Sequence, residues 1–304
     1  MIEVEGLTRR FGDLLAVDHV SFTARSGEIT ALLGPNGAGK TTTLAMISGV
    51  LAPTSGDVRI GGISVRERPI EAKKLLGVVP QEIALYDELS ARENLEFWGA
   101  LHGLRGRDLG RRIEDALRSV DLDQRRDPVS KFSGGMKRRL NLAAGMLHRP
   151  RVLLLDEPTA GIDVQARAHI LDVVKRAAVD GAAVLYTTHY LEEAEQICER
   201  VAIIDHGRIL ADDTVDRLKH RFGEASIVAV RGTFDEPSFR ARVPVEGDAR
   251  FPEPGRAILS AGTAGAPRLL ERILGSGLAI DDVTVREPSL QNVFLQLTGR
   301  ELRD

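Results

Sequence analysis

The chain has 304 residues, 43% of them hydrophobic, so it can bury the core of one large domain, with or without a small second one. Its 41 Lys and Arg residues face 44 Asp and Glu residues, and this balance disfavours DNA or RNA as the main partner. Cys198 is the single cysteine, which excludes an internal disulfide and a cysteine-based zinc site.

The amino terminus, MIEVEGLTRRFG, lacks the run of roughly 7 to 15 apolar residues that a signal peptide needs. No stretch approaches the roughly 20 apolar residues of a membrane span. We therefore expect a cytoplasmic protein unless a partner carries it elsewhere.

A glycine-rich loop is the first chemical signal along the chain. EITALLG, from Glu28, reads as a short strand that ends in Gly34, and the residues after Lys40 have helical spacing. In this context the loop can point its N–H groups at phosphates, with Lys40 reaching the β and γ phosphates and Thr41 binding Mg²⁺. The predicted nucleotide-binding residues of this loop are Gly34, Pro35, Asn36, Gly37, Ala38, Gly39, Lys40, Thr41 and Thr42.

The segment from Glu82 to about Lys131 is predicted to be a helical insertion. Ser90 and Glu93 match a capping box at the start of its first helix. The apolar residues expected on one face of that helix are Leu95, Trp98 and Leu101. A second helical stripe comprises Ile113, Ala116, Leu117 and Val120. Both stripes predict a small satellite core.

The stretch KFSGGMKRRLNLAAGMLHRP predicts a helix that ends before Pro150. Taken alone, Ser133 and the two glycines after it are an ordinary serine-capped helix start. Beside a phosphate loop, however, the hydroxyl of Ser133 and the N–H groups of the first turn offer a second cradle for an anion. One nucleotide has no obvious need for two such cradles in one chain.

The stretch RVLLLDEP predicts a buried parallel strand with two carboxylates at its carboxyl end. Ligand sites in open α/β sheets lie at that edge. We expect Asp156 to hold Mg²⁺ through its water shell and Glu157 to orient or deprotonate the attacking water.

In this order, the motifs resemble those of the ATP-binding subunits of ABC transporters over roughly residues 2–220. GPNGAGKTT resembles the Walker A loop of the family, VLLLDEP its Walker B strand and FSGGM its signature motif. The resemblance implies an α/β fold: a P-loop NTPase cassette with a central, mostly parallel sheet, an antiparallel β-subdomain and a helical subdomain over about residues 82–150.

The resemblance also assigns roles to single residues. It implies that Phe11 stacks on adenine, that Gln81 senses the metal and the nucleotide, and that Asp163 belongs to the D-loop. His189, at the end of the strand in VLYTTHY, resembles the switch histidine that contacts the γ phosphate. The implied catalytic set is Glu157, His189, Lys40 and Gln81, and the implied Mg²⁺ ligands are Thr41, Gln81 and Asp156.

The family forms a head-to-tail homodimer, in which the second anion cradle, at Ser133, would bind the nucleotide held by the other copy. Each ATP then lies between the Walker A loop of one copy and Ser133, Gly134, Gly135 and Asp163 of the other. The triphosphate carries about four negative charges that only the closed dimer neutralises fully, so ATP favours closure. The resemblance further implies a separately encoded polytopic permease at the cytoplasmic face of the membrane, with Gln81 as a hinge and YDELSARENL as the docking surface.

The character of the chain changes after residue 222. We predict a cassette over 1–222 and a small α+β accessory domain over 223–304. SIVAVRG, RAILSAG and DDVTVRE read as strands, APRLLERILGSG as a helix, and Ser289 opens a last helix. The ending EPSLQNVFLQLTGREL resembles the tail of the drug and antibiotic exporter branch (ABC-2 type).

The leading hypothesis is therefore an ATPase that powers export of a drug, antibiotic or lipid-like substrate. The alternatives are a soluble ABC ATPase that acts on nucleic acid or ribosomes, and an importer ATPase. Soluble ABC ATPases that act on nucleic acid or ribosomes usually carry two cassettes, a long coiled-coil insertion or zinc cysteines, which this sequence lacks. The cargo is selected by the permease, so this sequence does not name it.

Overall fold

The computed structural model describes residues 1–222, 226–245, 248–261 and 265–298. Contacts between Cα atoms divide the chain into two compact units, one over Met1–Val215 and one that begins at Asp216. The division lies at the start of a helix over Val215–Phe222, whereas the boundary predicted from the sequence lies at its end, and residue 223 is outside the described residues.

The first unit contains ten strands and seven α-helices before the division. The strands are β1 (Ile2–Phe11), β2 (Leu14–Ala24), β3 (Ile29–Leu33), β4 (Ser55–Ile60), β5 (Ile63–Ser64), β6 (Leu76–Val79), β7 (Val152–Asp156), β8 (Ala183–Thr188), β9 (Arg200–Asp205) and β10 (Arg208–Thr214). The helices are α1 (Lys40–Ile47), α2 (Pro69–Lys73), α3 (Ala91–Leu101), α4 (Gly106–Ser119), α5 (Gly134–Met146), α6 (Val164–Val179) and α7 (Leu191–Ile197).

A six-stranded sheet in the order β10-β9-β3-β8-β7-β6 forms the centre of this unit. Every pair is parallel except β10 with β9 at one edge. Every residue of β3, β7 and β8 is buried, which explains their unbroken apolar character. Their carboxyl ends lie side by side, with Leu33 opposite Thr188 and Asp156 opposite Thr187. This register brings the loops that follow these strands to one edge of the sheet.

An antiparallel sheet in the order β2-β1-β4-β5 shares a hydrophobic core with the central sheet. Ile2 and Leu7 of β1, Ile47 of α1, and Leu154 and Leu185 of the central strands belong to this core. Burying each such side chain contributes about 1.5–3 kcal/mol. The phosphate loop and α1 are therefore anchored on the hydrophobic core that the two sheets share.

The helices α3, α4 and α5 pack on one another. The predicted capping box is confirmed: Ser90 Oγ accepts from the N–H of Glu93, and the Glu93 carboxylate accepts from the N–H of Ser90. The predicted α4 stripe is buried at Ile113 and Leu117. The face predicted for α3 is only partly buried, because Leu101 in its last turn is 65% exposed.

The second unit is an α+β fold. Its strands are β11 (Ile227–Thr233), β12 (Ala249–Glu253), β13 (Arg256–Ser260) and β14 (Ala279–Arg286), in the antiparallel order β12-β13-β11-β14. Its helices are α8 (Val215–Phe222), which spans the division, α9 (Glu236–Arg242), α10 (Gly265–Leu274) and α11 (Leu290–Thr298). Phe239 of α9 and Ile273 of α10 share a core with Val230 and Leu259 of the sheet.

The three predicted strands, the predicted helix and the helix after Ser289 are confirmed in the second unit. Helix α9 and strand β12 were not predicted, and β12 lies within PVEGDARFPEPG, a stretch rich in turn-forming residues. The last residues of the quoted ending, 299–302, lie outside the described residues. In the part of the chain that the structure describes, no helix combines the length and apolarity needed to cross a membrane.

Candidate active site

The phosphate loop connects β3 to α1, and glycine is required at both of its ends. A Cβ atom at Gly34 would lie 2.2 Å from the carbonyl oxygen of Ile204. Gly39, immediately before α1, has a φ of 105°, and a Cβ there would lie 2.8 Å from the carbonyl oxygen of Ala16. Side chains would block this close approach, so the glycines shape the tight path of the loop around the start of α1.

A cavity of about 470 Å³ lies against this loop. Its lining includes Phe11, Lys40, Thr41, Gln81 and Glu157. This volume is within the range of small-molecule sites, roughly 300–1,000 Å³. Phe11 is 44% exposed, so an aromatic surface is available to a base at this cavity.

Thr187 on the neighbouring strand fixes both acidic residues at the end of β7, one through its carboxylate and the other through its backbone. Thr187 on the neighbouring strand donates its hydroxyl to Asp156 Oδ1 at 2.7 Å. The backbone N–H of Glu157 donates to the Thr187 carbonyl oxygen at 3.2 Å and to Thr187 Oγ1 at 3.0 Å. Glu157 has a φ of 44°, a left-handed conformation that a non-glycine residue adopts at a cost of about 1 kcal/mol or more.

Three of the predicted catalytic residues converge on the fourth, Glu157. Lys40 Nζ is 3.3 Å from Glu157 Oε1, and His189 Nδ1 is 3.2 Å from Oε2, close to it but without the alignment of a hydrogen bond. The amide of Gln81 donates to Oε2 at 3.4 Å. Lys40 and Glu157 are both buried, so solvent screens their attraction little. The structure thus brings residues from three separate segments around a carboxylate that belongs to a fourth.

Arg138 on α5 is a functional candidate that the sequence analysis missed. Its guanidinium donates to the backbone carbonyl of Gln81 and, through Nη2, to the carbonyl of Ala160 at 3.3 Å. Burial lowers the pKa of Arg138 below its ordinary value, and attraction by Glu157 opposes this shift. Its spacing gave no signal in the sequence, because Arg138 stands between Lys137 and Arg139 and off the apolar stripe of α5.

The residues of the signature motif line a different cavity. This second cavity has a volume of about 290 Å³ and is lined in part by Ser133, Gly135 and Asp163. Ser133 Oγ caps α5 by accepting from the N–H of Met136 at 3.3 Å, and Asp163 Oδ1 caps α6 by accepting from the N–H of Ala166 at 2.9 Å. The Ala166 N–H lowers the pKa of Asp163 below its ordinary value. One copy does not place Ser133 in the cavity that contains Lys40.

The predicted metal ligands fit a magnesium ion that is held jointly with a nucleotide. Among the described residues, no group of three or more His, Cys, Asp and Glu side chains could hold a metal ion by itself. Mg²⁺ is usually bound by one or two side-chain oxygens together with substrate phosphates and water. The hydroxyl of Thr41, the amide oxygen of Gln81 and the carboxylate of Asp156 provide such a donor set.

Comparison with known proteins decides the family. The sequence pattern described as "ABC transporter" matches residues 17–160. The linearmycin resistance ATP-binding protein LnrL of Bacillus subtilis (strain 168) is 39% identical over 321 residues, which cover 100% of each chain. This chain belongs to the ATP-binding subunits of ABC transporters. It therefore binds ATP and is an ATPase.

Other members of the family are similar over nearly their whole length. The daunorubicin resistance ATP-binding protein DrrA3 of Streptomyces coeruleorubidus is 38% identical, covering 99% of this chain and 97% of that protein. Nod factor export ATP-binding protein I of Ralstonia nicotianae is 38% identical, covering 100% of this chain and 95% of that protein. The predicted resemblance to the drug and antibiotic exporter branch is thereby confirmed.

Solved structures confirm the cassette fold of this ATP-binding subunit. An ATP-binding subunit of an ABC transporter matches with a TM-score of 0.68 and 31% identity, covering 73% of this chain and 93% of the other. A dimeric ATP-binding cassette in a post-hydrolysis state, bound to ADP and phosphate, matches with a TM-score of 0.64 and 26% identity, covering 70% and 98%. The predicted α/β P-loop fold is correct.

Proposed function

We propose that this chain powers export by closing as a homodimer on ATP and driving a separately encoded membrane permease. One observation carries the proposal: Lys40, Gln81 and His189 converge on Glu157 at one cavity, while Ser133 lines another. Each copy thus carries two different parts of an ATP site. A head-to-tail pair would join the parts of one copy to the complementary parts of the other.

Electrostatics favours closure around the nucleotide. ATP carries about four negative charges, and a single copy offers Lys40 and the amino-terminal end of α1. The second copy would add the Ser133 hydroxyl and the N–H groups at the start of α5. Because a ligand shifts an equilibrium by its differential affinity, ATP should stabilise the closed dimer more than ADP does.

Within the closed site, Glu157 would orient or deprotonate the attacking water. His189, 3.2 Å from the Glu157 carboxylate, would hold its orientation and contact the γ phosphate. Lys40 would neutralise charge on the phosphates, and Phe11 would stack on the adenine. Mg²⁺, held by Thr41, Gln81 and Asp156, would neutralise further phosphate charge when it is bound.

The permease is proposed to dock on the helical part of the first unit. The predicted docking segment, residues 86–95, is held by the buried Asn94, whose side chain accepts from the Tyr86 N–H at 2.8 Å and donates to the Tyr86 carbonyl at 3.0 Å. A neighbouring cavity of about 360 Å³ includes Val50, Val78 and Trp98. Val50 is 81% exposed, so an apolar surface is available to a short permease helix.

The names of the relatives support export as the direction. They are linearmycin and daunorubicin resistance proteins and a Nod factor export protein. We therefore propose a drug, antibiotic or lipid-like cargo, with the chain bound to the cytoplasmic face of the membrane. The formal net charge of −3 disfavours the alternative of a nucleic-acid or ribosome ATPase, and an importer remains the second alternative.

Purification of the tagged chain from membranes of its own host tests this proposal. We expect a polytopic membrane protein to copurify and to raise the rate of ATP hydrolysis. Val50→Asp should abolish copurification, whereas Val179→Asp, at an equally exposed valine on α6, should leave it intact. Recovery of the chain wholly in the soluble fraction, together with RNA, would favour the alternative.

A further inference from the structure

Glu193 on α7 is a buried carboxylate to which neither ATP binding nor hydrolysis assigns a role. It is only 2% exposed, although carboxylates are rarely buried without a partner. Each of its oxygens lies within hydrogen-bonding distance of a hydroxyl group from another element. Burial of such a charge is costly unless donors satisfy it, so the arrangement of these donors is informative.

Three hydroxyl groups and one guanidinium surround Glu193. Thr159 Oγ1 lies 2.7 Å from Oε1 and 2.9 Å from Oε2, and the Tyr186 hydroxyl donates to Oε2 at 2.7 Å. Thr188 Oγ1 donates to Oε2 at 3.1 Å, and Arg167 Nε is 3.4 Å from Oε1. Burial raises the pKa of Tyr186, and the nearby Glu193 raises it further, so the phenol remains a donor. The carboxylate thus joins β8, α6 and the loop after β7.

One branch of this network reaches the loop that carries Glu157. The N–H of Ala160 donates to the Glu157 carbonyl at 3.1 Å, which closes a tight turn over Glu157–Ala160. Thr159 is inside this turn. Glu193 therefore holds the turn that begins at the left-handed Glu157 backbone, and this conformation persists only when its surroundings fix it.

The other branch reaches His189. Thr188 immediately precedes His189, and its Oγ1 also accepts from the Tyr190 N–H at 2.9 Å. The Arg167 guanidinium lies 4.9 Å from the centroid of the Tyr190 ring, which is 4.1 Å from that of His189. Glu193 therefore contacts the residue before His189 directly and reaches the residue after it through Thr188 and Arg167.

We propose that Glu193 is a positioning residue for ATP hydrolysis, which fixes Glu157 and His189 relative to each other through the Thr159 and Thr188 hydroxyls. The proposal rests on the proposed catalytic roles of Glu157 and His189. The proposal explains why a charged side chain is buried at position 193, where an apolar side chain would also fill the space. The 3.2 Å separation between the His189 ring and the Glu157 carboxylate would be the property that Glu193 maintains.

Glu193→Gln in the full chain tests the proposal, because the amide keeps the shape but directs an N–H₂ group at hydroxyls that need an acceptor. We expect kcat for ATP hydrolysis to fall at least about tenfold while KM and the Kd for ATP stay within about twofold. The matched control is Glu192→Gln, the same charge change at the adjacent, exposed residue of α7, which should retain the wild-type kcat.

A double-mutant cycle separates positioning from simple destabilisation. If Glu193 acts through His189, Glu193→Gln should lower kcat far less in a His189→Ala background than in the wild-type chain. Equal fold-losses in both backgrounds would overturn the proposal, as would an unchanged kcat in Glu193→Gln.

Milder variants cover the case in which Glu193→Gln fails to fold. Thr188→Ala should lower kcat and Thr188→Ser should restore it, and equal rates for these two variants would contradict the positioning role. The Glu157→Gln variant distinguishes a failure of the proposed function from a failure of the positioning role alone. If it still hydrolyses ATP, the proposed function fails; if it is inactive while Glu193→Gln is fully active, only the positioning role fails.

Discussion

Lys40 Nζ and Glu157 Oε1 lie 3.3 Å apart, so the cation proposed for the phosphates and the carboxylate proposed for the water form a buried ion pair. Phosphates bound at the loop would compete with Glu157 for Lys40. Such competition would release the carboxylate for the attacking water. In the proposed mechanism, nucleotide binding and activation of the base would therefore be linked through the Lys40 side chain.

Glu157→Gln should lower the rate of ATP hydrolysis at least about 100-fold, the usual scale for loss of a general base. ATP should still bind, because the neutral amide no longer competes with phosphates for Lys40. The ATP-bound dimer should then accumulate. Phosphate release measures the rate, and light scattering measures the dimer. A wild-type rate in this variant would show that Glu157 is not the base.

Lys40→Ala should weaken ATP binding about 10- to 100-fold, which corresponds to the loss of one charge-assisted contact of about 1.5–3 kcal/mol. Isothermal titration with ATP checks this result. Lys74→Ala removes the same charge from an exposed position and serves as the control. Equal affinities in the two variants would place the phosphates away from Lys40.

Ser133→Arg should abolish hydrolysis but leave ATP binding to the monomer within about twofold, because Ser133 lines a cavity separate from that of Lys40. ATP affinity at low protein concentration and hydrolysis at high concentration are the two measurements. Ser26→Arg, in the turn before β3, is the matched control. Loss of monomer binding in Ser133→Arg would contradict a site shared between copies.

His148 should make the stability of the first unit depend on pH. Burial, together with the stacked ring of His102, lowers the pKa of His148 from 6.5 to about 4. Its Nε2 bonds to the Leu76 carbonyl at 2.8 Å, while Nδ1 has no hydrogen-bond partner among the described residues. A proton added to Nδ1 would therefore be buried without an acceptor.

Because the folded pKa is the lower one, the unfolded chain binds more protons between pH 6.5 and about pH 4. Stability should be highest above pH 6.5 and should fall as the pH drops through this range. The loss is on the order of 1 kcal/mol, after allowance for solvent screening of a partly exposed ring. Urea unfolding at several pH values should show a flatter profile for His148→Gln, whereas His220→Gln, at an exposed residue, should keep the wild-type slope.

The central elements could be predicted because their signals are local. A buried strand that ends in glycine or in carboxylates, as β3 and β7 do, is visible within a few residues. The caps of α3 and α5 at Ser90 and Ser133 are local as well. The resemblance to the family then implied a central, mostly parallel sheet, whereas the order of its strands was seen only in the structure.

The two elements beyond residue 222 that were not predicted, α9 and β12, both contain proline. Pro252 lies in β12, and its presence reads as a turn, yet β12 is an edge strand, where proline removes no inner ladder bond. Pro237 lies in the first turn of α9, a position that proline tolerates in a helix. In both cases the place of the segment in the folded chain decides whether the residues around proline form a turn or a regular strand or helix.

The interactions that organise the site could not be predicted, because they join distant residues. Glu193 meets Thr159 from 34 positions away, and Gln81 meets Glu157 from 76 positions away. No periodicity in the sequence encodes such contacts. Leu101 shows the converse, since its helical spacing suggested burial and its side chain is mostly exposed.

The separation of Lys40 and Ser133 into different cavities has a consequence for mixtures of inactive proteins. A Lys40 variant retains an intact signature helix, and a Ser133 variant retains an intact phosphate loop. When the two are combined, each hybrid pair of the proposed head-to-tail kind would regain one complete site and lose the other. Two preparations that are each inactive should therefore hydrolyse ATP when they are mixed.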